Sequence, residues 1–233
     1  MGYRIFRPLR QVKGVLFDMD GVILDSEKLY TRFWLEASRA VGFPMTLAQV
    51  KGMRALNHTV AAERLRGYFG TEVDYGAMKA KRIELMDAYV AREGIQAKPG
   101  IQELLEQLKA NAIPVAIATA SPIQRVEQYL EPLGLFREFD AICTAYDVPR
   151  GKPEPDIYLQ AARMIGLEAG DCLAIEDSAA GIESAYRAGC MVTMVPDQDP
   201  PAQDTLPRLT LLADSLLDVA QALTREGKVP TED

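Results

Sequence analysis

The chain has 233 residues, 48% hydrophobic and 25% charged, with a net charge of −7. That composition suits a soluble globular protein with a real core, of one large or two modest domains, and gives no basic footprint for nucleic acid. No window approaches the roughly 18 to 20 apolar residues of a membrane span, and no apolar segment follows Arg4, Arg7, Arg10 and Lys13 as a signal peptide requires.

The first predicted element is the strand Gly14-Val-Leu-Phe17, an apolar run that ends in Asp18-Met-Asp20-Gly21. In open parallel sheets, ligands bind at the carboxyl ends of such strands. Two carboxylates two positions apart there need a cation or a shared proton. Residues 26 to about 92 then contain no convincing strand. Leu29, Phe33, Trp34, Ala37 and Val41 lie on one helical face, with Asp25 or Ser26 as N-cap and Gly42-Phe-Pro44 as the stop. Thr46 to Gln49 fits a capping box that opens a short second helix. A third runs from about Thr59 to Phe69. A fourth follows Asp74, carries Met78, Ile83, Met86 and Val90, and stops at Gly94.

From Pro99 onward, helices and strands alternate. The expected helices are Ile101 to Ala110, Ile123 to Leu133, Pro155 to Ile165 and Ile182 to Ala188. The expected strands are Ile113 to Thr119, Phe139 to Ala145, Cys172 to Ile175 and Met191 to Val195. A short apolar run near Leu209 and a helix from about Ser215 close the pattern. Such alternation implies right-handed βαβ units. The fold class is therefore α/β, a doubly wound parallel sheet with an inserted small all-α domain. Residues 1–25 and 97–233 form the core and 26–96 the insertion.

The three cysteines, Cys143, Cys172 and Cys190, are widely spaced and read as small core residues, with the cytosol as the natural compartment. The single histidine, His58, excludes three-histidine zinc sites and HExxH proteases. Chemistry must rest on carboxylates, lysine and hydroxyls. The strand tips supply them: Asp18 and Asp20; Thr119, then Ala120 and Ser121; Glu176-Asp177-Ser178. Lys152 is aimed by the two prolines that follow it, Pro153 and Pro155, between the third strand and its helix. Oxygen ligands from carboxylates suit Mg²⁺ better than a soft metal. A carboxylate can attack phosphorus, and another two residues away can serve the leaving alcohol and the attacking water as acid and base. A lysine and a hard cation offset charge on the equatorial oxygens, the main task in phosphoryl transfer. The spacing Asp18-x-Asp20-Gly21-x₅-Glu27 also matches part of an EF-hand loop, but Leu16 would then stand at the first ligand position.

DMDGVILDSE, the hydroxyl in AIATAS, GKPEPDIY and AIEDSAAGI resemble, in order and spacing, the four motifs of haloacid dehalogenase-like hydrolases. The resemblance spans about residues 12 to 196. It is to the subgroup with a helical cap after the first strand, typified by β-phosphoglucomutase and sugar-phosphate phosphatases. It implies Asp18 as nucleophile, Asp20 as general acid/base, Thr119 as phosphoryl binder helped by Ser121 and backbone such as that of Ala120, and Lys152 as the neutralising cation. It implies Mg²⁺ held by Asp18, the Asp20 carbonyl and Asp177, with Glu176 acting through water. The loop from Lys51 to His58 becomes the substrate reader, through Arg54, Asn57 and His58.

Departures narrow the subgroup. Family dehalogenases lack a partner like Asp20, and Ala55 stands where phosphonate hydrolases carry a Schiff-base lysine. Pro122-Ile123 replaces the Lys-Asn pair with which the mutase grips its second phosphate, Arg54 lies about one position from the expected arginine, and Tyr30 stands where a histidine is usual. The expectation is a monomeric Mg²⁺-dependent phosphatase for a small-molecule phosphate ester, with the mutase as alternative and a non-catalytic phosphate-binding relative as a further one. No nucleic-acid or membrane partner is expected.

Overall fold

A computed structural model of the chain describes residues 2–53 and 58–226. The chain divides into two compact units, Met1–Asp25 with Gln96–Asp233, and Ser26–Ile95. Among the described residues no helix is long and apolar enough to cross a membrane.

The first unit is built on a seven-stranded sheet: β1 (Tyr3–Ile5), β2 (Gly14–Phe17), β3 (Val115–Thr119), β4 (Ala141–Thr144), β5 (Cys172–Glu176), β6 (Met191–Met194) and β7 (Leu211–Ala213). Their spatial order is β1-β7-β6-β5-β2-β3-β4. The chain moves outward from β2 through β3 to β4, then returns to the other side of β2 and moves outward again through β5, β6 and β7. The switch point lies between β2 and β5, paired in parallel with Phe17 opposite Ile175. Doubly wound sheets leave their ligand crevice at this place.

The strands in the middle of the sheet are apolar runs because they are covered on both faces. Val15 is buried along β2, as is all of β3 and β5. Small side chains at Ala116, Ala118, Ala174, Ala161 and Ala162 share one buried cluster with Ile157, Tyr158 and Ile182. The helices of this unit are α5 (Ile101–Ala110), α6 (Ile123–Leu130), α7 (Asp156–Met164), α8 (Ala179–Arg187) and α9 (Leu216–Arg225). All three cysteines are buried.

The structure adjusts the predicted elements for local reasons. Strand β3 begins at Val115 rather than Ile113, after Pro114, which has no N–H to give a ladder. Helix α6 stops at Leu130, short of Pro132 and of Gly134 with φ of +71°. Helix α8 opens three residues earlier than expected, because Ser178 Oγ caps it by accepting the Gly181 N–H at 3.1 Å. Strand β1 has no counterpart among the predicted elements. Tyr3–Ile5 runs antiparallel to β7, half-exposed, as an edge strand whose alternation is masked by Arg4 and Arg7.

The second unit holds α1 (Glu27–Ala40), α2 (Leu47–Lys51), α3 (His58–Phe69) and α4 (Tyr75–Glu93). Ala37, Met45, Val50, Met53, Ala61, Leu65, Val73 and Met78 form its core. The Thr46–Gln49 capping box is present in both directions, and Asp74 caps α4. Ser26 does occupy the N-cap of α1, but it makes no side-chain cap bond. Its φ and ψ of −94° and −25° are helical, whereas a capping side chain needs an extended backbone to fold over the first turn.

Candidate active site

Strand β2 delivers Asp18 to the sheet's carboxyl edge, where its N–H donates to the Ile175 carbonyl at 3.0 Å. The chain then turns sharply: the N–H groups of Ile23 and Leu24 both reach the Met19 carbonyl, and Gly21 donates to Leu24. Gly21 has φ of +83°, a conformation that a side chain would strain. Asp18 is left 8% exposed at the end of the strand. One strand over, β3 ends in Thr119, whose Oγ1 accepts the Ser121 N–H at 3.0 Å. Ser121 Oγ in turn donates to Asp20 Oδ2 at 3.0 Å. The general-acid candidate is thus held from the neighbouring strand tip.

Lys152 comes from the long β4–α7 loop. Its Nζ lies 2.5 Å from Asp18 Oδ1 and 2.6 Å from Glu176 Oε1. The loop is pinned from α8: Ser184 Oγ donates to the Glu154 carbonyl at 2.5 Å, and Arg187 pairs with the Glu154 carboxylate. Arg150 adds ion pairs to Glu154 and Asp156.

Glu176 ends β5 and is fully buried. Its Oε1 accepts from Lys152 and from Tyr158 Oη at 2.7 Å. Its Oε2 accepts from Ser178 Oγ and from the N–H groups of Asp177 and Ser178. A Cβ on Gly181 would overlap this carboxylate, so the glycine is what admits it to the first turn of α8. Carboxylate oxygens of Asp18, Glu176 and Asp177 all lie within 4.8 Å of one another. A cluster of hard oxygen donors at that spacing fits a divalent cation.

The electrostatics follow from burial. Asp18 is pushed up to about 8, first by desolvation and then by the Glu176 and Asp20 charges, against the pull of Lys152. Burial works against the Lys152 charge, but Asp18 and Glu176 outweigh it and hold the ammonium protonated. Tyr158 is raised well above its usual range by burial and by Glu176, so its hydroxyl stays a donor.

The structure therefore brings together Asp18, Asp20, Thr119, Ser121, Lys152, Glu176 and Asp177 at one edge of one sheet, with Ala120 exposed beside them. Ser121 Oγ donates to Asp20, and Glu176 accepts from five protein donors on its two oxygens, Lys152 among them. Arg54 and Asn57, and the His58 side chain, lie outside the described residues. Sequence reasoning missed Tyr158, Ser184 and Gly181. The available signal was Tyr158 itself, a hydroxyl on the apolar face of a helix, where a buried phenol needs a partner.

A family model described as haloacid dehalogenase-like hydrolase matches residues 12–189. The chain is 37% identical over 190 residues to hexitol phosphatase A of Escherichia coli, covering 78% of this chain and 82% of that one. It is 30% identical to the β-phosphoglucomutase of Bacillus subtilis, covering 81% and 85%. Among solved structures, CbbY from Rhodobacter sphaeroides in complex with xylulose-(1,5)bisphosphate superimposes with a TM-score of 0.73 at 25% identity, covering 88% of this chain and 95% of that one.

Proposed function

The chain belongs to the haloacid dehalogenase-like hydrolases, and on that premise we propose that it is a Mg²⁺-dependent phosphatase acting on a small phosphomonoester of the sugar or polyol phosphate class. The observation that carries the reading is the Lys152 ammonium bridging Asp18 and Glu176 at the switch point, beside an Asp20 steadied by Ser121.

In this reading, the Asp18 carboxylate attacks phosphorus and forms an aspartyl-phosphate, while Asp20 protonates the departing alcohol. Asp20 then takes a proton from the incoming water, which displaces phosphate from Asp18. Thr119 and the backbone around Ala120 hold the phosphoryl oxygens, and Lys152 offsets their charge and orients Asp18. Asp18, the Asp20 carbonyl and Asp177 would hold Mg²⁺, with Glu176 behind them; when bound it supplies electrophilic stabilisation of phosphoryl charge. The helical insertion, residues 26–96, serves as the cap that selects substrate, through the loop carrying Arg54, Asn57 and His58. Residues 1–25 and 97–233 form the catalytic core.

Relatives named for hexitol phosphate hydrolysis and for β-phosphoglucomutase support the phosphate-ester class and bracket the reaction. Pro122 and Ile123, which follow Ser121, bring no polar side chain to hold a second phosphate, and this favours hydrolysis. The test is phosphate release over a panel of sugar and polyol phosphates, with and without Mg²⁺. Metal-dependent release from at least one supports the reading, and none from well-folded protein overturns it. Conversion of β-glucose 1-phosphate to the 6-phosphate would assign the mutase instead.

A further inference from the structure

The Lys152 ammonium has two carboxylates to choose from, Asp18 at 2.5 Å and Glu176 at 2.6 Å. A lysine is a flexible point charge, and what fixes it between two acceptors is how firmly those acceptors are fixed. Asp18 has to react, so its partner must be the stationary one. Glu176 is built for that: its Oε2 is tied to the start of α8, and Gly181 leaves the carboxylate room. Its Oε1, the atom that faces Lys152, has Tyr158 Oη as its other donor.

Tyr158 is fully buried on α7 within the cluster that covers the sheet. Its ring lies under the ammonium, with Lys152 Nζ 5.1 Å from the centroid. One side chain thus attracts the lysine through its π-face and fixes the glutamate through its hydroxyl. We propose that Tyr158 is a positioning residue: it sets Glu176 Oε1, and through it the place of the Lys152 ammonium at Asp18. The role rests on the phosphatase reading for its effect on turnover, but the contact it describes does not.

Tyr158→Phe keeps the ring and removes the single hydroxyl. With p-nitrophenyl phosphate as probe, kcat falls about tenfold while KM stays unchanged, the loss expected for one hydrogen bond to a charged group. A second readout is independent of turnover. In protein labelled with ¹⁵N at the lysine side chains, the Lys152 ammonium resonance, assigned by its loss in Lys152→Arg, shifts in Tyr158→Phe. An unmoved resonance overturns the proposal, and so does a kcat loss matched by the loss of folded protein. If the wild type hydrolyses nothing, the phosphatase reading fails alone and the resonance decides Tyr158.

Discussion

The two units of this chain are held together by different materials. In the α/β unit, the site-bearing strands are buried on both faces, and Asp18, Thr119, Lys152 and Glu176 stand at their ends or in a loop pinned by Ser184 and Arg187. In the helical unit, the core leans on methionines, with Met45, Met53 and Met78 in one cluster. Aromatic pairs complete it: Trp34 stacks on Tyr75 at 5.8 Å, and Phe33 meets Tyr89 at 5.4 Å. Arg82 is 5% exposed between the faces of Tyr30 and Trp34, and its Nε has no hydrogen-bond partner among the described residues. Reacting groups need fixed geometry, because small misplacements cost large factors in rate. Thioethers and stacked rings give an adaptable interior instead. One unit fixes polar groups at its strand ends, and the other packs on thioethers and stacked rings.

The sharpest way to break this contrast is to remove groups from the fixed unit. Asp18→Asn should abolish phosphate release, by at least about 10³-fold, with the fold unchanged by circular dichroism. Retained turnover would mean that the pinned edge is not where the chemistry occurs. Lys152→Ala should cost roughly 10²- to 10³-fold in kcat, the scale of one charge-stabilising donor, measured by steady-state kinetics.

Core truncations compare the units directly. Ile175→Ala and Leu65→Ala each delete a fully buried side chain and should cost about 2–5 kcal/mol. Hydrogen exchange should separate them: Leu65→Ala accelerates exchange in α3 and α4 while β2 and β5 stay protected, whereas Ile175→Ala lowers protection throughout the sheet. Equal effects in both units would show that they open as one.

The smallest effect concerns pH. Burial, with Glu176 and Asp20, raises Asp18, so the folded metal-free protein binds that proton more tightly than the unfolded chain does. The stability from this group is present below the ordinary carboxylate range and is lost as pH rises toward about 8. In EDTA, the Tm of Asp18→Asn should therefore gain on the wild type between pH 5 and pH 8. A constant difference would show that Lys152 already balances the Asp18 charge.

Much of the molecule is legible in the sequence, because the informative patterns are local. An apolar run announces a buried strand, and the polar residues that follow it must sit at that strand's end. This is why Asp18, Thr119 and Glu176 could be assigned to one edge, and Thr46 and Asp74 to helix starts. Strand β1 escaped because an edge strand has one exposed face and few residues, so its pattern is weak. The chain alone thus determined the α/β alternation, the helical insertion and which polar residues stand at the strand ends. The partners of those groups were decided only by the tertiary fold. Ser121 turned toward Asp20, 101 residues away, Glu176 was taken up by Lys152, Tyr158 and α8, and Gly181 became the space for a carboxylate. The physical reason is that strand and helix periods act over a few residues, whereas a hydrogen bond between strand tips depends on how distant segments are laid side by side.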